Sequence, residues 1–140
     1  MERDKVTALY KKYELTKDDV FKHKHYLIIT RSGIDKIQAK EKIIITYNAI
    51  RCDPDFCVIQ AIASKGEAKI ETFGSAKYGG KVQNEAGKWV EIGNTTTWYI
   101  AEMAEKRAMS RAVLKITGFY ELGVFGEDES EDFKRGNDAK

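Results

Sequence analysis

From Trp98 to Thr117 the chain runs for twenty residues without a glycine or a proline and is rich in Ala, Met, Glu, Lys, Arg and Leu. That composition predicts one long helix, and a fold built around it has to bury one of its sides. Asn94-Thr95-Thr96-Thr97 offers several N-caps and Gly118 a natural stop. Ala101, Ala108 and Ala112, together with Ile116, form a side of small residues suited to close packing on a sheet. Trp98 and Tyr99, at the start of the helix, read as core residues. Arg107, Arg111 and Lys115 recur every four residues and fall within an arc of roughly 80°, a cationic ridge roughly 12 Å long. None of the three has an acid four residues before it, whereas Glu102 precedes Lys106 at that favourable spacing. The ridge can match successive phosphates of an extended strand, or it can be an ordinary solvated helix face; composition leaves both open.

Upstream of the helix the period shortens to two. Lys42 to Arg51, Phe56 to Ser64 and Ala68 to Ser75 are rich in β-branched and aromatic residues. They are separated by Cys52-Asp53-Pro54-Asp55 and by Lys65-Gly66-Glu67, which predicts a meander of three antiparallel strands. Lys81 to Ile92 reads as a further hairpin turning at Asn84-Glu85-Ala86-Gly87. Before the meander, Val6, Leu9, Tyr10 and Tyr13 have helical spacing within Asp4 to Tyr13, and Thr16-Lys17-Asp18-Asp19 reads as a capped turn or short helix. Val20 to Ile29 fits either period, and Thr30 or Ser32 caps a short helix through Ile34 and Ile37 to about Lys40. The expected fold is therefore α+β: an antiparallel β-meander of three to five strands packed against a long C-terminal helix, with short N-terminal helices. Residues 1–125 read as one domain and 126–140 as an acidic disordered tail.

Composition narrows the function classes. The 140 residues, 42% of them hydrophobic, suffice for one core without disulfide or metal support. The longest apolar runs, Tyr26 to Ile29 and Ile43 to Ile45, are far shorter than the roughly 20 residues of a membrane span. The charged start Met1-Glu2-Arg3-Asp4-Lys5 is unlike a secretory signal, so a cytoplasmic location is expected. The net charge of +2 is uneven: the last fifteen residues hold six acidic and three basic side chains, leaving 21 basic and 16 acidic in the first 125. That excess permits binding to a polyanion. Cys52 and Cys57 read as buried or half-buried thiols; with His23 and His25 they would make four soft ligands, but the spacing lies outside the usual zinc patterns. Neither Gly80-Lys81-Val82 nor Gly87-Lys88-Trp89 supplies the hydroxyl of a phosphate-binding ATPase loop. With no Gly-x-Ser-x-Gly elbow and both histidines inside Phe21 to Tyr26, neither an enzyme nor a bound cofactor is expected. Tyr78 beside Lys77, Trp89 beside Lys88 and Tyr47 before Arg51 place rings next to cations, the pairing that holds single strands without sequence preference.

The run from Ala101 to Gly118, Ala-Glu-Met-Ala-Glu-Lys-Arg-Ala-Met-Ser-Arg-Ala-Val-Leu-Lys-Ile-Thr-Gly, resembles the last helix of phage and eukaryotic single-strand annealing proteins. That superfamily includes the Erf and Red-beta types and the eukaryotic recombination mediator of the radiation-sensitivity group. The order of short helix, meander and basic Ala-rich helix ending in glycine matches from about Ile28 to Gly118. The resemblance implies single-stranded DNA binding and ATP-independent annealing by a ring or arc of identical subunits. Arg111 and Lys115 match its basic helix positions, Arg107 extends them by a turn, and Arg31 is a looser match. Lys40-Glu41-Lys42 stands where that family would have a glycine- and aromatic-rich turn, so no stacking contact is carried over there. The DNA-binding residues expected on both grounds are Arg107, Arg111, Lys115, Lys106, Arg31, Arg51, Lys69, Lys77 and Tyr78. The acidic tail either contacts a replication or repair protein or only solubilises the domain. Two other readings remain: a phage protein-interaction module or inhibitor of a host factor, and an RNA-binding accessory domain.

Overall fold

Where hydrophobic residues are spaced by three and four the chain is helical, and where they alternate it pairs into sheets. The computed structural model describes residues 2–23 and 26–127. The described residues form three α-helices: α1 (Glu2–Lys12), α2 (Arg31–Glu41) and α3 (Ile100–Ile116). Thr30 caps α2 by accepting from the Gly33 N–H, and the chain leaves α3 through Gly118 at φ +88°, a left-handed conformation that favours glycine.

The central sheet is the meander β3 (Ile44–Cys52), β4 (Phe56–Lys65) and β5 (Ala68–Lys77), antiparallel throughout, with β4 in the middle. Gly66, at φ +60°, opens the two-residue turn between β4 and β5. Cys57, Ile59, Ala61 and Ala63 of β4 are buried on one face, and their partners Ala76, Gly74, Thr72 and Ile70 continue that face on β5. α3 lies on it with Ala104, Ala108 and Ala112 fully buried. Contact is closest at Gly74, where a Cβ would stand 2.2 Å from the Ala104 carbonyl oxygen and 2.4 Å from the Ala108 nitrogen. Beside it, the Thr72 hydroxyl donates to the Ala108 carbonyl at 2.6 Å. Small residues on both surfaces thus let a helix backbone rest almost directly on a strand.

The opposite flank of α3 is buried too. β1 (Val20–His23) and β2 (Tyr26–Ile29) pair antiparallel, and β8 (Val124–Gly126) adds to β2 in parallel. Ile29, Ile34, Ile37, Met109, Val113, Leu114, Phe119 and Val124 form one core with Tyr13 of the segment after α1. A helix covered on two sides has to be apolar around most of its circumference, which is why only Glu102, Glu105 and Lys115 of α3 are exposed. The expected α+β architecture is observed, with the long helix packed against the sheet and shorter helices before it.

Of the stretch from Val20 to Ile29, which fits either period, Val20–His23 and Tyr26–Ile29 are antiparallel strands. Two details differ from the sequence reading. Trp98, expected in the core, is 84% exposed. Gly126 and Glu127, counted with the tail, belong to the described structure: Gly126 ends β8, and a Glu127 carboxylate oxygen accepts from the Arg31 N–H at 3.2 Å. The rest of the acidic tail and His25 lie outside the described residues. The second hairpin forms as a separate two-stranded sheet of β6 (Gly79–Gln83) and β7 (Trp89–Thr95), whose Asn94 side chain bonds to β5. Among the described residues no helix is long and apolar enough to cross a membrane.

Candidate nucleic-acid interface

The four-residue spacing of Arg107 and Arg111 has a structural meaning that the helix alone does not reveal. Two positions on a strand and one turn of a helix advance by similar distances, about 6 to 7 Å. Arg107 donates to the Ser75 carbonyl (2.8 Å) and to the Asn94 carbonyl (3.1 Å), and Arg111 donates to the Phe73 carbonyl at 3.0 Å. Asn94 completes the row: its side-chain oxygen accepts from the Lys77 N–H at 2.8 Å and its amide nitrogen donates to Ser75 at 3.4 Å. These side chains occupy the outward backbone groups of edge strand β5, a site where another strand would otherwise add.

This corrects the cationic ridge. Arg107 is 3% exposed and is an internal clamp between β5, β7 and α3. Arg111 is half-buried and borders the surface. Lys115 is exposed, but its ammonium lies 5.2 Å from the centre of the Tyr120 ring, at the far end of the helix. Lys106 is half-buried on the flank of α3 away from the sheet. Arg31 starts α2 and pairs with Asp35 at 3.4 Å. The ridge is therefore not one surface.

A different grouping emerges on the face of the central sheet that α3 does not cover. Strand register places Arg51 opposite Val58, Lys77 opposite Phe56, Phe73 opposite Gln60 and Lys69 opposite Ser64, so all these side chains share one side. Arg51, Lys69 and Lys77 are exposed, as is Phe73 at 49%. The Arg51 guanidinium lies 5.2 Å from the centre of the Phe56 ring and is oriented by Asp53 at 2.6 Å. Glu71, opposite Ile62, is an acid on the same face. At the β5 edge, Phe56, Val58, Phe73, Ser75, Asn94 and the two arginines line an open cleft of about 350 Å³. Tyr78, half exposed at the same end, donates its N–H to Asp55 at 2.7 Å. Three of the expected cations thus share one face, Arg51 and Lys77 at one end and Lys69 toward the other, with Arg111 at its border.

Sequence reading missed Phe56 and Phe73 as candidate stacking rings. Their signal was the alternation of β5: Thr72, Gly74 and Ala76 are small enough to lie beneath a helix, which sends Phe73 to the other side. Tyr47, expected beside Arg51, faces the helix side of β3. There burial, and then the charge of Glu105, raise the pKa of its phenol against the opposing effect of Arg31. Cys52 and Cys57 face each other across β3 and β4 with the sulfurs 2.8 Å apart, Cys57 buried and Cys52 exposed. Burial is the main cause that pushes the Cys57 thiol up to about 11.

Compared with protein-family models, curated proteins and solved structures, the chain gives no match.

Proposed function

We propose that this protein binds single-stranded DNA on the uncovered face of the β3–β4–β5 sheet and, as a self-associating protein, anneals complementary strands without ATP. The observation that carries the reading is the placement of Arg51 and Lys77 beside the rings of Phe56 and Phe73 on that one face, with Lys69 farther along β5 on the same side. Cations track a phosphate backbone while rings accept any base, which is the combination that holds single strands without reading sequence. The cleft at the β5 edge adds Arg111, whose planar fork suits a phosphate. Catalysis in this reading consists of concentrating and aligning strands, and it requires no bound cofactor. The long basic helix acts indirectly, by holding β5 and shaping the border of the site.

The test is annealing of two labelled complementary oligonucleotides without ATP, together with single-strand affinity measured across a salt series. Acceleration is expected, with log affinity falling against log salt by about 0.7 per phosphate contact. Phe73→Ala combined with Lys77→Ala should weaken binding at least about tenfold, since one base stack contributes about 1–3 kcal/mol. Lys106→Ala, away from the face, should leave it unchanged. If the double variant binds as well as the parent, the sheet face is not the site. Binding without acceleration would leave a strand-coating protein, preference for RNA would favour an accessory RNA-binding domain, and no binding would favour a protein-interaction module.

A further inference from the structure

The two outer edges of the central sheet differ. Along β5, Arg107, Arg111 and Asn94 occupy the outward carbonyls of Phe73 and Ser75 and the N–H of Lys77. Along β3 no described strand pairs with the outer edge, and eight of its nine residues are exposed. Ile44 is 68% exposed, Ile50 56% and Tyr47 41%, and the strand has one charged residue, Arg51, near its end. A register shift between Ala49 and Arg51 is the one irregularity that blunts it. A long edge with few charges and several exposed apolar side chains is a template for another strand.

A strand pair of matching character lies elsewhere in the same chain. β6 and β7 form a two-stranded ribbon, a structure only marginally stable without a third strand. Val82 and Val90 are directly opposite each other and Ile92 follows on the same side, at 41%, 37% and 45% exposure, while Trp89 on the other side is 66% exposed. Its charges balance: Lys81 faces Glu91 across the ribbon, and Glu85 and Lys88 flank its turn. The ribbon thus presents apolar side chains with no net charge to select a polyanion, and along β6 an outer edge with which no described strand pairs.

We infer that the β6–β7 ribbon of one copy of this chain adds to the bare β3 edge of the next, setting Val82, Val90 and Ile92 against Ile44 and Ile50. A second copy is the occupant because the donor ribbon and the acceptor edge are both apolar, both incomplete as sheets, and present on every molecule. The two patches are different surfaces, so the contact is head to tail and propagates into a ring or an open filament rather than closing as a twofold dimer. Successive central sheets would then be joined laterally, bringing their uncovered faces into one track. This deepens the self-association in the proposed function and rests on none of its nucleic-acid part; assembly without DNA tests it separately.

Light scattering after size exclusion, on the full chain without nucleic acid, reads the outcome. The parent should run as a species larger than a dimer. Ile44→Lys with Ile50→Lys blocks the edge, and Val82→Lys with Val90→Glu blocks the ribbon while keeping an attractive cross-strand pair. Each double variant should be a folded monomer by circular dichroism, and an equimolar mixture should give a one-to-one heterodimer that grows no further, because one partner keeps the edge and the other the ribbon. Amide exchange on the unmutated chain provides a reading independent of the variants: residues 44–52 should gain protection as concentration rises. A monomeric parent, an assembly that survives either pair of substitutions, a mixture that stays monomeric, or β3 amides indifferent to concentration would each overturn the proposal.

Discussion

At the scale of single residues, Arg107 shows how a charge can be structural. Its guanidinium is nearly inaccessible and holds two backbone carbonyls from different strands, Ser75 and Asn94. Arg107→Ala leaves both carbonyls without their charged donor, and hydrogen bonds to charged groups contribute about 1.5–3 kcal/mol each. Urea unfolding should therefore show a loss of about 2–4 kcal/mol. Arg107→Lys should recover only part of it, because an ammonium cannot reach both acceptors with a planar fork. Single-strand binding measured on the folded fraction should change little, since the buried guanidinium is taken up by the Ser75 and Asn94 carbonyls.

At the scale of elements, the position of α3 is decided at Gly74. A methyl group there would collide with the helix backbone itself, at 2.2 Å and 2.4 Å, where no side chain can rotate away. Gly74→Ala should cost about 1–3 kcal/mol by thermal or urea unfolding, and Gly74→Val more, because the helix must lift from β5. Lifting α3 also withdraws the guanidinium of Arg111 from Phe73. The substitution is therefore expected to expose the β5 edge, and aggregation on heating should rise with it. A wild-type unfolding midpoint for Gly74→Ala would show that α3 and β5 are less tightly coupled than this contact implies.

At the scale of the whole molecule, two carboxylates tie the N-terminal segments to the rest. Glu41, at the end of α2, accepts from Lys65 of β4 at 2.7 Å and from the Tyr13 hydroxyl at 2.6 Å, and lies 3.0 Å from Lys12. Lys65 is the largest cause, followed by Tyr13, and together they bring its carboxyl from 4.5 down to about 2. Burial opposes ionisation of Asp19, but hydrogen bonds from Lys36, the Thr16 N–H and Ser32 outweigh it and hold the carboxyl well below the usual range. Both groups bind a proton more readily when the chain is unfolded. Their contribution is complete above about pH 5 and is lost as pH falls through 4 toward about 2. Urea midpoints measured between pH 7 and pH 3 should decline with acid, and Glu41→Gln should lower the pH 7 value while flattening that decline. An unchanged acid slope in the variant would remove Glu41 from this role.

Local chemistry is what the sequence by itself determined. The Gly- and Pro-free run, the capping Thr30, the turn at Gly66 and the alternation of β4 each act within a few residues, so α3, α2 and the meander are legible from neighbours alone. Arg51, Lys69 and Lys77 were legible as candidates, though not as a group. The tertiary structure decided what depends on contacts between distant segments. Parallel addition of β8 to β2 joins segments about a hundred residues apart, and no local pattern encodes it. The fate of the basic helix face was decided in the same way. A spacing of four predicts one side of a helix, but which neighbour lies on that side is a property of packing: β5 took Arg107 and Arg111 as guards for its edge, and left the charges of β3 and β5 to define the open face.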